Sequence, residues 1–541
     1  MALAEAFERI GAFLEDRLPL MHAAGTALAV TDRDEILGVV VRGFADAASG
    51  TPVRPETRFQ IGSISKSFTA IVTLQAAEEG LLDLHAPIDR LVPWIEVPQP
   101  FGAITPHHLL THTSGLPIGT EDAPGALAAA WNLRHVRPGF GPGERFWYSN
   151  DGYKLVGLVL ERALGRPFGD LVRERILAPL EMGATSPVIT NRDRADLATG
   201  YATLHDDRPP HRHQPLVPAP WAVSGSADGS IVSNVLDMTA YARMLLAAGA
   251  PLLSPSGFEA LTAPRIQDTG AAGFAYGYGL YVGEQDGRRR IYHTGGMIGY
   301  TALLMLDPDD GLGLVMLVNG QGERKPAGRF ALRTVRAALT GEPLPPVVHL
   351  DPVRTPHAAG YVGRYSDGRR SFEVAARGDR LVLRRNGTET ILEPRLEDEV
   401  PTQDLFVAPD PELERSWLWF GRNAEGEVVE AVHGPDRMPR EGVTRPEPPP
   451  VPERWPGFTG LYRSNDPWIP CFRVVLRGGE LWMLLGDDDE PELPLVPIGD
   501  EDFRVGREPW RPSRVAFDRI VEGRAIRAVH DGGSWYRSFE D

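Results

Sequence analysis

The 541-residue chain carries 56 basic against 73 acidic residues, a formal charge of -17, with 42% hydrophobic and 24% charged residues. This composition excludes a largely disordered chain, and the net acidity excludes a general nucleic-acid binder, because no basic face offsets phosphate repulsion. The single cysteine, Cys471, rules out an intrachain disulfide and a thiolate-cluster metal site.

Taken in chain order, Ala4–Arg17 places Phe7, Ile10, Phe13 and Leu14 on one helical face. This N-terminal stretch carries acidic residues and no apolar core, so it does not read as a secretory signal. No apolar run approaches the roughly 18 residues that span a bilayer. The expectation is a soluble, cytoplasmic protein without a membrane partner. Thr26–Val30 and Ile36–Gly43 read as strands around an Asp-Arg-Asp turn. Ser65–Glu79 has a helix pattern ended by Gly80, and Tyr153–Ala163 and Leu236–Ala247 are further helices. Tyr278–Val282, Arg290–Tyr292, Tyr300–Leu306 and Leu312–Leu317 read as strands, and Arg324–Leu339 as a closing helix. Hairpin strands with helices between them predict an antiparallel sheet covered by helices. Two proline-rich linkers, Gly341–Pro356 and Arg445–Pro456, then divide the chain into domains 1–340, 357–444 and 457–541.

The last two domains repeat one another. Gly360-Tyr361-x-Gly363-x-Tyr365 is echoed by Gly457-Phe458-x-Gly460-x-Tyr462, and Phe372-x-Val374 with Leu381 by Phe472-x-Val474 with Leu481. Phe420, Gly426, His433 and Arg440 return as Phe517, Gly523, His530 and Arg537, at an offset of about 97 to 100 residues. Alternating strands with Gly-rich turns predict hairpin meanders, and closure into two small up-and-down β-barrels removes exposed edges. One continuous β-sandwich built from both halves is the alternative.

The chemistry concentrates in the first domain. Only Lys66, Lys154 and Lys325 are lysines, and one of them completes Ser63-x-x-Lys66 at the opening of a helix. Residues three apart on a helix share a face, so Lys66 can approach the Ser63 hydroxyl, and helix-opening N–H groups suit a developing oxyanion. Lys66 can accept the hydroxyl proton as a neutral amine, or stabilise an anionic base when charged. Tyr148-Ser149-Asn150 follows a Pro-Gly turn and precedes a helix, and His293-Thr294-Gly295-Gly296 follows a strand.

Ser-x-x-Lys, Tyr-x-Asn and His-x-Gly in this order resemble the penicillin-recognising serine hydrolases. The surrounding Leu109-Leu110-Thr111-His112-Thr113-Ser114-Gly115-Leu116 and Ser226-Ala227-Asp228-Gly229-Ser230 are similar to the class C β-lactamase-like branch, and the likeness covers about residues 5–340. The resemblance implies a multidomain α/β protein: a β-lactamase-like antiparallel sheet flanked by helices, followed here by two antiparallel lipocalin-like β-barrels. It implies Ser63 as acylated nucleophile, Lys66 and Tyr148 sharing proton transfer, and an oxyanion hole from the N–H groups of Ser63 and Gly296. Asn150 then binds the acyl-side carbonyl and orients Lys66, and His293 lies on the substrate. His293 departs from the lysine usual at that place in β-lactamases and carboxypeptidases. An ordinary histidine is mostly neutral at pH 7, which favours substrates without a carboxylate there.

A hydrolase domain with two barrels resembles the D-stereospecific aminopeptidases, in which a hairpin loop of the last barrel enters the cleft. The matching loop holds Asp487, Asp488, Asp489 and Glu490, which are candidates to bind a substrate ammonium. The expected activity is release of an N-terminal amino acid, possibly a D-residue, from small peptides, amides or esters. A carboxylesterase, a peptide-cyclising thioesterase, a β-lactamase and an inactive ligand-binding receptor are the alternatives. The resemblance also suggests a homodimer. No cofactor or metal is expected: His107-His108 and His211-x-His213 lack partners at ligand spacing and read as surface histidines. Cys471 reads as buried packing in a barrel strand.

Overall fold

Continuous apolar runs give the central strands of the first domain two covered faces. The computed structural model describes residues 2–121, 125–445, 447–486 and 490–538. The chain falls into two compact units, Met1–Ala202 with Leu216–Val348, and Thr203–Pro215 with His349–Asp541.

In the first unit, helix α1 (Ala2–Arg17) leads into strands β1 (Ala23–Thr31), β2 (Ile36–Asp46) and β3 (Thr51–Pro52). Helices α2 (Ser65–Glu78), α3 (Asn150–Leu164) and α4 (Val235–Leu246) follow. Strands β4 (Ile266–Gln267), β5 (Phe274–Tyr276), β6 (Tyr281–Gln285), β7 (Arg288–Met297), β8 (Tyr300–Asp307) and β9 (Leu312–Gly320) precede helix α5 (Lys325–Thr340). The nine strands form one antiparallel sheet in the order β3-β2-β1-β9-β8-β7-β6-β5-β4.

Successive strand residues point to opposite faces. Leu28, Val30, Leu303, Met305, Leu314 and Met316 therefore pack with α1 and α5, where Phe13 stacks on Phe330 at 4.3 Å. Ala27, Ala29, Ala302, Leu304, Val315 and Leu317 face the core built by α2, α3 and α4. Burying each large side chain contributes about 1.5–3 kcal/mol. Helix α2 is buried almost all round, from Ser65 through Leu74; it is the central pillar of this core and it carries the candidate lysine.

One strand runs further than the sequence suggests. Glycines weigh against strand interiors, so Arg290–Tyr292 reads as a short segment, yet β7 continues through Gly295 and Gly296 to Met297. Packing supplies the reason. A Cβ on Gly295 would lie 1.9 Å from the Ile61 carbonyl oxygen, and one on Gly62 would lie 2.4 Å from that of Gly296. Only glycine lets this strand reach the turn before Ser63.

In the second unit the repeat is physical as well as textual. Each copy encloses its own core, around Tyr365, Phe372 and Phe420 in one and Tyr462, Phe472 and Phe517 in the other. The Tyr365 hydroxyl donates to the Tyr361 carbonyl at 2.7 Å, and the Tyr462 hydroxyl to that of Phe458 at 2.8 Å. Arg440 donates to the carbonyls of Val428 and Val362, and Arg537 to the equivalent carbonyls of Ala525 and Thr459. Glycines 363 and 460 leave room for these guanidinium groups.

The second copy is a closed eight-stranded barrel, sealed where Tyr462 and Arg463 pair with Arg537 and Tyr536. The first is laced less completely than the expected closure. It forms a four-stranded and a five-stranded sheet around one core, joined at a single Tyr365–Arg440 bridge. Residues 203–215 belong to this unit. Arg463 pairs with Asp206 at 3.0 Å, Arg212 with Glu393 at 2.9 Å, and Arg208 with Glu414. Cys471 is buried in strand Cys471–Arg477, as expected, with its sulfur 3.3 Å from the Asp206 carbonyl oxygen. Burial pushes its thiol up to about 12.

Candidate active site

The site begins with a turn that only glycine makes easily. Gly62 has φ +54° and starts a 3-10 turn, Gly62–Ile64, that hands over directly to α2. Ser63 sits in this turn, and Lys66 lies on the first turn of α2. The Lys66 ammonium donates to the Ser63 hydroxyl at 3.0 Å, to Asn150 Oδ1 at 2.8 Å and to the Asp228 carbonyl at 2.8 Å. An ammonium has three donors, and all three are used. Lys66 is fully buried, and the ring faces of Tyr148 and Tyr153 lie 4.9 and 5.5 Å from its nitrogen. Three acceptors and two aromatic faces offset its lost hydration.

Asn150 is placed by a helix cap. Ser149 accepts from the Gly152 N–H at 3.1 Å and donates to the Pro117 carbonyl at 2.7 Å, while the Asn150 N–H donates to Ile118 at 2.8 Å. The cap starts α3 at Asn150, three residues earlier than its apolar periodicity suggests.

Tyr148 is gripped by His112. The His112 carbonyl accepts from the Trp147 N–H at 2.8 Å, its Nδ1 accepts from the Ser149 N–H at 3.0 Å, and the imidazole lies 4.1 Å from the Tyr148 ring. His112 is fully buried with φ +55°. Burial, then Lys66 and His293, hold its pKa well below the usual histidine range. With Nδ1 accepting, the proton of this neutral ring is on Nε2. The sequence offered His112 only as part of a motif; its grip on both neighbours of Tyr148 comes from the fold.

His293 on β7 is nearly inaccessible, at 2% exposure. Its Nδ1 donates to the Thr294 carbonyl at 2.6 Å, which leaves Nε2 to accept from the Tyr276 hydroxyl at 3.0 Å. Burial, followed by the Lys66 charge, lowers its pKa to about 3. The ring is therefore neutral in one tautomer, with both nitrogens engaged.

The structure thus brings Ser63, Lys66, Asn150, Tyr148 and the Gly296 backbone together, and sets His293 in the wall behind Tyr148, with ring centroids 6.5 Å apart. Asp487, Asp488 and Asp489 lie outside the described residues. Glu490 makes a two-pronged pair with Arg511, both contacts at 2.7 Å. Of the two histidine pairs, His213 is exposed as expected and the other three histidines are not simple surface residues. His107 is half-buried, hydrogen-bonded to the Tyr278 hydroxyl at 2.7 Å, and lowered to about 4 by burial and the neighbouring His108, His85 and Arg265. His108 closes the helix cap with Thr105, and His211 is buried. Among the described residues, no group of three or more His, Cys, Asp or Glu side chains is arranged to hold a metal ion. Among the same residues, no helix is long and apolar enough to cross a membrane.

Residues 18–338 match the Beta-lactamase family. The chain belongs to the beta-lactamase family. Penicillin-binding protein 4* of Bacillus subtilis is 26% identical over 390 residues, which cover 66% of this beta-lactamase-family chain and 83% of that protein. A D-aminopeptidase of Brucella ovis is 29% identical over 342 residues, covering 60% of this chain and 61% of its own. The octameric penicillin-binding protein homologue from Pyrococcus abyssi superposes with a TM-score of 0.58 at 26% identity, over 80% of this chain and 99% of that one. Fold and relatives together make the chain a serine hydrolase of the beta-lactamase family.

Proposed function

We propose that this hydrolase releases an N-terminal amino acid, with D-residues the first to test, from small peptides, amides or esters through an acyl-enzyme on Ser63. The observation that carries the reading is the buried Lys66, hydrogen-bonded at once to Ser63, Asn150 and the Asp228 carbonyl. The likeness to a D-aminopeptidase supports the substrate class.

In this reading Ser63 Oγ attacks the substrate carbonyl carbon as its proton passes to the Lys66–Tyr148 pair. The N–H groups of Ser63 and Gly296 receive the carbonyl oxygen as it becomes an oxyanion. The carbon–nitrogen bond then breaks, and the stored proton goes to the departing amine. Water repeats the sequence on the acyl-enzyme: its proton travels to the same pair, Ser63 leaves and is reprotonated, and the free acid departs. Asn150 Oδ1 holds Lys66 in line throughout.

His293 supports the choice of substrate. It is neutral above about pH 3 and its nitrogens are occupied, so it offers no cation for a substrate carboxylate. A free amino terminus with an uncharged leaving group fits better than a penicillin or a peptide carboxyl terminus.

The test is a panel of D- and L-aminoacyl p-nitroanilides, their N-blocked forms, acyl p-nitrophenyl esters and a chromogenic β-lactam. Turnover of free D-aminoacyl anilides with blocked forms inert is the expected result. Turnover of acyl esters alone transfers the assignment to a carboxylesterase, because an ester leaving group needs less protonation. Ser63→Ala lowers kcat by roughly 10⁴-fold or more, and a fluorophosphonate adduct maps to Ser63 by mass spectrometry. A wild-type protein that no serine-directed probe labels would remove the acyl-enzyme.

A further inference from the structure

A second buried cation stands behind the one that touches Ser63. Lys154 on α3 is 2% exposed. Its ammonium pairs with Glu121 at 2.7 Å and Asp151 at 3.1 Å, and donates to the Thr120 carbonyl at 3.3 Å. The Asp228 carboxylate adds to the attraction. Burying a charge costs several kcal/mol unless its partners are well placed, so this cluster has a geometric purpose to serve.

Each member lies on a segment that holds Lys66. Asp151 follows Asn150, whose side chain accepts from Lys66. Asp228 supplies the carbonyl that Lys66 also uses, and its carboxylate is fixed by the Ser226 hydroxyl. Glu121 lies three residues after Ile118 on the segment whose Pro117 and Ile118 carbonyls receive the Ser149 hydroxyl and the Asn150 N–H. Gly119 brings that segment so close that a Cβ would lie 2.4 Å from Asp151 Oδ1. Lys154 is thus the node joining the three segments around Lys66. Both buried positions use lysine in a chain where every other basic residue but one is arginine. A compact ammonium with three donors fits a small cage of oxygens where a planar guanidinium does not.

We propose that Lys154 is a positioning residue for the Lys66–Ser63 pair: it clamps the Asn150 and Asp228 acceptors in place. The inference rests on the acyl-enzyme reading above. Among the described residues, the groups facing Lys66 are Tyr148, Tyr153, His112, His293 and the Asp228 carbonyl, and both histidines are neutral. Among the described residues, those facing Lys154 are Asp151, Glu121 and Asp228. Burial and the Asp228 charge raise Glu121 to about 7 despite Lys154.

Lys154→Met leaves the carboxylates of Glu121, Asp151 and Asp228 without their ammonium on the segments that hold Lys66 and Tyr148, and uncompensated negative charge makes a nearby proton harder to remove. The rising limb of the rate against pH then moves to higher pH, whichever of the two accepts the Ser63 proton. The experiment follows the rate of fluorophosphonate labelling of Ser63 against pH in the full-length protein, corrected for folded fraction by circular dichroism. Lys154→Met is expected to slow labelling at pH 7 by 10-fold or more and to displace the limb to higher pH, and adding Glu121→Gln returns the limb toward wild type. Glu121→Gln alone, nearly isosteric, moves the limb to lower pH and remains informative if Lys154→Met fails to fold. A labelling rate within two-fold of wild type and an unmoved limb in folded Lys154→Met overturn the proposal, as does an unmoved limb in Glu121→Gln. Absence of labelling in the wild type defeats the acyl-enzyme reading instead, so the two failures are distinguishable.

Discussion

His293 shows how completely surroundings decide what a side chain is. Its residue type suggests a group that titrates near neutrality, yet burial and Lys66 keep it neutral to about pH 3. The unfolded histidine takes up a proton near pH 6.5 and the folded one does not. Stability is therefore fully present above pH 6.5 and falls as pH drops from there toward 3. His112, and His107 at about 4, contribute in the same direction. Melting temperature measured from pH 7.5 to 4 should fall steadily in the wild type and less steeply in His293→Gln. The neighbouring His112 holds the two peptide N–H groups that flank Tyr148. His112→Ala should lower kcat by about 10²-fold with KM little changed, since displacements of about 1 Å cost that much. Steady-state kinetics on the best substrate of the panel checks it. Ser63 and Lys66 could be read together because local spacing sets their geometry, whereas Asn150 came from the order of motifs that carries the family resemblance. The tautomer of His293 and the grip of His112 could not be read from sequence, because both depend on groups distant in the chain.

Elements were read well where local rules govern and poorly where another backbone comes close. The main helices lie within a few residues of their expected spans, and capping by Ser149 explains the early start of α3. The strand expected over Arg290–Tyr292 extends as β7 through two glycines, and those glycines are what allow it to reach the Ser63 turn. Gly295→Ala tests this contact. The added methyl cannot share space with the Ile61 carbonyl, so overpacking should destabilise the unit by about 1–3 kcal/mol and shift the turn that carries Ser63. Loss of Ser63 labelling in protein that is still folded, together with a lower melting temperature, is the expected outcome; wild-type values for both contradict it.

At the scale of the whole molecule, the duplicated C-terminal half was visible as a repeat of about 97 residues, and the structure gives that repeat a mechanical meaning. Arg440 and Arg537 each tie a last strand to carbonyls at the start and side of their own copy. Hydrogen bonds to a charged donor contribute about 1.5–3 kcal/mol each when buried. Arg537→Met should therefore cost more stability than Arg440→Met, whose copy is already open along one seam, and denaturant unfolding of the full chain ranks the two. That seam, and the membership of residues 203–215 in the second unit, were not legible, because strand register and long-range ion pairs leave no local signature.

The burial of Lys66 and Lys154 leaves Lys325, itself half-buried, as the one lysine side chain of the three that solvent reaches. Amine-directed reagents thus meet a nearly blank surface. In the folded protein an N-hydroxysuccinimide ester should tag one lysine, and in denaturant three. The mass increment then records opening of the catalytic core directly, molecule by molecule, with no engineered probe.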